Sequence, residues 1–255
     1  MPWYEEFFGE DYMRFHLRGG EWLEERTNPQ CDFVVSALGL PPGARVLDLC
    51  CGQGRHAVEL AHRGLQVTGL DLSEHLLSLA QRRADEAGVQ VEFVRRDMRD
   101  LPWENEFDAV LNLFTSFGYL ETEEEDQRVL AAVARALRPG GRLFIDHHNR
   151  ERTSATFGGG RQHWCEHEGH LVLENHEWDV LRARLTMTRT IVAPDGTRRE
   201  TGFVLRVYAH SEIMAMLARA GLAWEHSYGG YDGSDYGPDS RGMIVVARKP
   251  QEEPE

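Results

Sequence analysis

An α/β architecture, a parallel sheet with helices on both faces, is the fold class this 255-residue sequence predicts, and three observations carry it. From residue 44 to residue 149, short apolar runs alternate with segments of helical spacing. One run, Val46-Leu47-Asp48-Leu49, passes through Gly52-Gln53-Gly54 into helical spacing at Ala57, Leu60 and Ala61, a strand, glycine turn and helix start in succession. Beyond residue 150 the apolar pattern switches to period two, which predicts an inserted three-stranded antiparallel sheet.

Taken in order, residues 1–40 are aromatic and acidic, with Trp3, Tyr4, Phe7, Phe8, Tyr12, Phe15 and Trp22. They read as an N-terminal helical segment and possible lid, with Pro29 at a first helical position and Tyr12 and Arg14 facing ligand. Pro41-Pro42-Gly43 breaks the chain before the first strand. The second strand, Leu65 to Asp71, ends in an acid, and Ser73 caps the helix of Leu76, Leu77 and Ala80. Strand three, Val89–Val94, precedes Asp97-Met98, and strand four runs from Phe107 toward Asn112-Leu113. Residues 122–137 form a helix, and Pro139-Gly140-Gly141 turns the chain into a fifth strand, Arg142–Asp146. The core therefore comprises residues 41–150 and 210–249, and residues 151–209 form the insert. Its strands are 171–178, 183–193 and 198–209, with Leu171, Leu173, Leu185, Met187, Ile191, Phe203, Leu205 and Val207 on one apolar face. Ser211 caps a helix ended by Gly221, and 223–228 with 243–247 make a final antiparallel pair. Residues 250–255 read as a tail.

Composition narrows the partners. A formal charge of −14 argues against a broad nucleic-acid interface, which needs a basic face. Four cysteines, two adjacent at Cys50 and Cys51, make neither a disulfide framework nor a paired metal motif. No leader-like or membrane-length apolar run is present in the sequence, so the expectation is a cytoplasmic protein without a membrane partner, monomer or homodimer.

Ligands of parallel sheets sit at the carboxyl ends of the strands. That rule gathers the Gly52–Gly54 loop, Asp71, Asp97 with Met98, and Asn112 with Leu113 on one rim. The motifs Val-Leu-Asp-Leu-Cys-Cys-Gly-Gln-Gly (46–54), Gly-Leu-Asp71-Leu-Ser, Arg-Asp97-Met, Phe-Asp-Ala-Val-Leu-Asn112 and Leu-Arg-Pro-Gly-Gly (137–141) keep one order and spacing. In them the chain resembles the class I S-adenosylmethionine-dependent methyltransferases, whose Rossmann-like sheet also ends in an antiparallel pair. The resemblance implies S-adenosylmethionine as cofactor and S-adenosylhomocysteine as product. It implies that Asp48, Cys50, Gly52 and Gly54 surround the methionine part, and that Asp71 holds the ribose with Leu72 against adenine. It further implies that Asp97 and Met98 meet the adenine amine, and that Asn112 and Leu113 line the path to the sulfonium. An insert after strand five resembles the substrate cover of small-molecule N- and O-methyltransferases, aminosugar and glycine enzymes included. A small-molecule acceptor is therefore expected, with in-line transfer. The alternatives are an RNA or protein methyltransferase, or a non-catalytic binder of the cofactor. A dinucleotide dehydrogenase also fits Gly52-x-Gly54-x-x-Ala57, but Asp48, Asp97 and the Pro-Gly-Gly turn lie outside its fingerprint.

For catalysis, His147 at the end of strand five and Tyr119 are the candidate proton acceptors. Tyr208 and Tyr231 are candidate substrate contacts, their alternative being packed aromatics. His163-Trp164-Cys165-Glu166-His167, with His170 and His176, is the most metal-like cluster, yet a histidine-rich hairpin face explains it and no metal is assigned.

Overall fold

The structure is a computed structural model that describes residues 3–17 and 21–251. The Trp22 side chain and residues 252–255 of the expected tail lie outside the described residues. A seven-stranded sheet forms the core: β1 (Arg45–Leu49), β2 (Gln66–Asp71), β3 (Glu92–Arg95), β4 (Phe107–Asn112), β5 (Leu137–His148), β10 (Ala223–Tyr228) and β11 (Gly242–Arg248). Their order is β10-β11-β5-β4-β1-β2-β3. The five strands from β5 to β3 are parallel, and β11 runs antiparallel to both β5 and β10. Strand order reverses between β1 and β4, and that reversal opens a crevice at their carboxyl ends.

Alternate residues of each strand feed two apolar layers. Leu47, Leu49, Val110 and Ile145 pack against α5 (Glu123–Ala136) and α7 (His210–Arg219). Val46, Ala109, Leu111 and Phe144 pack against α2 (Glu21–Leu38) and α3 (Arg55–His62) on the other face. Ser73 caps α4 (Glu74–Ala87) as expected, its hydroxyl accepting from the Leu76 amide at 3.2 Å. Thr122 and Glu125 close a capping box on α5.

Several boundaries differ from the sequence reading. Pro29 lies inside α2, which begins eight residues earlier; proline forfeits one helical hydrogen bond, while Cys31, Val34 and Leu38 bury the face that holds the helix. Ser211 is within α7, whose N-cap is Ala209; the Ala209 amide is satisfied instead by Glu212 Oε2 at 2.7 Å. Residues 137–141 already belong to β5: Leu137 pairs opposite Phe107, and the register then shifts, with Gly140 at φ +81°, before Arg142 pairs opposite Ala109.

The insert has four strands rather than three: β6 (Arg161–His167), β7 (His170–Asp179), β8 (Arg184–Val192) and β9 (Arg198–Arg206), paired in that order and all antiparallel. A short helix, α6 (Arg150–Phe157), leads into it, capped by Asn149. Register also corrects one face assignment. Val172 stands opposite Ile191 and both are buried, so Leu171 and Leu173 turn outward and are exposed. The N-terminal segment forms α1 (Trp3–Phe7) and a π-turn over Tyr12–His16.

Candidate active site

A cavity of about 650 Å³ lies over the crevice. Its floor comes from the ends of β1, β2 and β4, its walls from residues 95–98 and 113–120, and its cover from the N-terminal segment and the insert. This volume lies within the ordinary range of small-molecule sites, roughly 300–1,000 Å³.

The glycine elbow is built for close approach. Gly54 has φ of +75°, and a Cβ there would stand 2.8 Å from the Ala80 Cβ, so only glycine lets α3 seat against α4. Cys50, also left-handed at φ +65°, aims its sulfur at the Met98 sulfur, 3.6 Å away. Asp71 holds the loop: Oδ2 accepts from the Gly52 amide and Oδ1 from the Ser73 amide, both at 2.9 Å. Burial pushes its carboxyl above the usual range, opposed by those amides. Asp97 is clamped by Arg99 (2.6 Å); burial resists its ionisation, but the guanidinium outweighs burial and holds the carboxyl low. Asp71, Leu72, Asp97, Met98, Asp48, Cys50, Gly52 and Leu113 all line the cavity.

Arg55 and Asp48 each leave one buried polar atom there without a partner. Arg55 opens α3 and is 5% exposed; its Nη1 donates to Thr27 and Gln30 at 2.9 Å, whereas Nη2 has no acceptor. Asp48, 2% exposed, leaves Oδ2 unpartnered. Burial pushes the Asp48 carboxyl up to about 7, although the Arg55 charge pulls the other way. A buried guanidinium nitrogen and a buried carboxyl oxygen without partners are costly in a folded protein unless a ligand completes them. The sequence reading missed Arg55. Its signal was present, a cation on the first turn of the helix behind a glycine loop, where a helix favours anions.

Other expected residues sit elsewhere. Asn112 is not on the cavity wall; it is buried beneath the rim, its amide directed at the Leu49 carbonyl at 3.4 Å. His147 is likewise below the floor, 1% exposed, with Nδ1 on the His148 carbonyl; burial lowers its pKa to about 4. Strand alternation turns its neighbour His148 into the cavity, and crowding by protein lowers the pKa of that ring too. Tyr119 lines the cavity against the Phe8 and Phe203 rings, and burial raises its hydroxyl far above reach of neutral pH, so it is a donor and not a base. Tyr208 is a core residue whose hydroxyl donates to Asp126 Oδ2 at 2.7 Å. Tyr231 donates to Asp146 Oδ2 at 2.9 Å and does not reach the cavity wall. Asp146 also accepts from the Phe114 amide, which fixes the loop after β4.

The cover is fastened to the insert by charge. Tyr12 lines the cavity, stacked on His16 at 5.0 Å, but Arg14 turns away to Glu168. Arg189, 1% exposed, donates from Nη2 to Glu174 Oε1 (2.6 Å) and to His16 Nδ1 (2.9 Å). A guanidinium only donates, so His16 Nδ1 accepts and its proton resides on Nε2. Phe114, Phe157, Leu185, Phe203, His16, His148 and His176 complete the end of the cavity away from Asp97. Of the expected cluster, Cys165 packs with Phe15, Val172 and Ile191, and His167 lies beside Phe15, so neither joins His163.

Comparison with known proteins agrees with this geometry. Residues 46–141 match the model of a methyltransferase domain. Over 238 residues the chain is 29% identical to the dTDP-4-amino-2,3,4,6-tetradeoxy-D-glucose N,N-dimethyltransferase of Saccharopolyspora spinosa, covering 91% of this chain and 88% of that one. It is 40% identical over 132 residues to the ubiquinone biosynthesis O-methyltransferase of Xanthomonas axonopodis, 51% of this chain and 53% of that enzyme. The chain thus spans about half the length of that enzyme and of other curated relatives it matches. A crystal structure of an S-adenosylmethionine-dependent methyltransferase from Clostridium acetobutylicum superposes with a TM-score of 0.78 at 17% identity, covering 94% of this chain and 96% of that one. The match over residues 46–141 and the likeness to these methyltransferases support the class I S-adenosylmethionine-dependent methyltransferase family, and one solved structure similar to this chain is described with S-adenosylmethionine bound.

Proposed function

We propose that this protein methylates a nitrogen atom of a small molecule, with an aminosugar as the favoured class of acceptor. The observation that carries the reading is one covered, partly open cavity, in which a cofactor half continues into a second half walled by aromatic rings and histidines. A concave chamber of this size suits a compact acceptor. The relative that aligns along nearly the whole chain is named for methylating an aminosugar nitrogen.

The residues present fit the cofactor. Arg55 Nη2 and Asp48 Oδ2 would receive an α-carboxylate and an α-ammonium, Asp71 keeps lone pairs for a ribose diol, and Asp97 with Met98 faces the adenine position. The bound sulfonium supplies an activated methyl group. The chain itself aligns the acceptor nitrogen and excludes water, positioning that is worth on the order of 7–11 kcal/mol. His148 Nδ1 or Nε2, neutral at pH 7 because crowding lowers its pKa, accepts the proton that the new ammonium releases.

Two expected results follow from these assignments. His148→Ala lowers kcat by roughly 10²–10⁴-fold with unchanged cofactor Kd, measured by steady-state turnover and calorimetry; unchanged kcat removes the base. Cofactor affinity weakens as pH falls below about 7, by up to about tenfold per unit, because the ligand ammonium needs ionised Asp48 and the free site there is protonated. A flat pH profile from 5 to 7 would contradict that pairing.

The function is tested by incubating the protein with methyl-labelled S-adenosylmethionine and a panel of dTDP-linked aminosugars, simple amines, phenols and transfer RNA. Label on an amine supports the reading. Label confined to phenols or RNA overturns it.

A further inference from the structure

The geometry points to a divalent metal site of the zinc type on the inner face of the insert, formed by His163, Glu174 and His176. It goes beyond methyl transfer: ion binding there is independent of that reading, whereas contact of the ion with an acceptor rests on it. The register of the β6–β7 hairpin sets His163 directly opposite Glu174, and His176 follows two residues later on the same face. One ligand atom from each lies within 4.8 Å of the other two. The Glu174 carboxylate is already oriented: Arg189 holds Oε1 through both Nε (2.8 Å) and Nη2 (2.6 Å), which leaves Oε2 turned to His163 Nε2 at 3.5 Å. Metal-binding carboxylates and imidazoles are commonly fixed by such outer hydrogen bonds. His176 Nδ1 is buried without a hydrogen-bond partner, an unusual state for an imidazole nitrogen.

Two imidazoles and one monodentate carboxylate form the donor set of open zinc sites, in which a fourth position takes water or a ligand heteroatom. Bonds of about 2.1 Å set tetrahedral ligands roughly 3.4 Å apart, and the exposed His163 ring has the freedom to close that gap. The Arg189 charge moderates attraction for a cation, so a Kd on the order of 1 μM is expected rather than the tight binding of closed structural sites. His176 lines the cavity and stacks on Phe157 at 5.0 Å. An ion held there stands beside the acceptor end and offers it a Lewis-acidic anchor for an oxygen or nitrogen atom.

The test is calorimetric titration of the chelator-treated full chain with zinc chloride, paired with the absorption spectrum of its cobalt(II) form. The expected result is one ion per chain, a tetrahedral cobalt band, and roughly 100-fold weaker binding in both His163→Ala and His176→Ala. His170→Ala is the control, because that residue lies at the hairpin end beside Phe15, and it should bind as the parent does. Circular dichroism verifies that each variant is folded; His163 is exposed, so its variant should keep the fold. No binding up to about 1 mM zinc, or binding unchanged in both histidine variants, overturns the site.

Discussion

Arg55→Met weakens cofactor binding by at least about 30-fold while leaving the ligand-free protein at least as stable as the parent. Arg55 is buried on the cavity lining, and its Nη1 is satisfied by Thr27 and Gln30 while Nη2 is buried with nothing to donate to. Removing one partner of a buried, hydrogen-bonded charge pair costs about 2–5 kcal/mol, which is roughly a 30- to several-thousand-fold rise in Kd. The ligand-free fold loses a charge that was poorly solvated, and methionine fills similar volume, so the melting temperature should hold or rise. Calorimetry with S-adenosylmethionine and a thermal melt without it check both halves. Retained affinity would mean that another group meets the carboxylate.

Asp71→Ala loses cofactor affinity and stability together, the opposite pairing. This carboxylate ties the Gly52 amide to the Ser73 amide, so it holds the glycine loop and the start of α4 at once. Two amides left without acceptors cost roughly 1–3 kcal/mol each where water cannot reach them. The ribose contact is lost with them, and a Kd rise on the order of 100-fold or more is expected. Urea unfolding and cofactor titration measure the two effects separately. Asp71→Ala binding the cofactor as tightly as the parent would detach this acid from the ribose.

Much of the core was legible because its signals are local. Val46-Leu47-Asp48-Leu49 followed by Gly52 and Gly54 dictates a strand and elbow whatever surrounds it, and Asp71 and Asp97 follow from strand-end logic. The insert was less legible. Strand β6, with Trp164 facing solvent and two histidines, has no apolar alternation to announce it, and only pairing with β7 makes it a strand. The choice between His147 and His148 depended on strand phase, and a one-residue shift exchanges cavity for floor. Tyr208 and Tyr231 were chosen by residue type alone. Their hydroxyls are committed to Asp126 and Asp146, partners 82 and 85 residues away that no local pattern reveals. The N-terminal cover was legible from its aromatic composition, but the Arg189–His16 link that fastens it joins residues 173 apart.

Calorimetric titration of the purified chain with S-adenosylmethionine, S-adenosylhomocysteine and NAD tests the central claim most directly. The expected result is binding of the first two, with a Kd on the order of micromolar, no heat with NAD, and at least about 30-fold weaker binding of both in Arg55→Met. Binding of NAD alone, or S-adenosylmethionine binding that survives both Arg55→Met and Asp71→Ala, would contradict it.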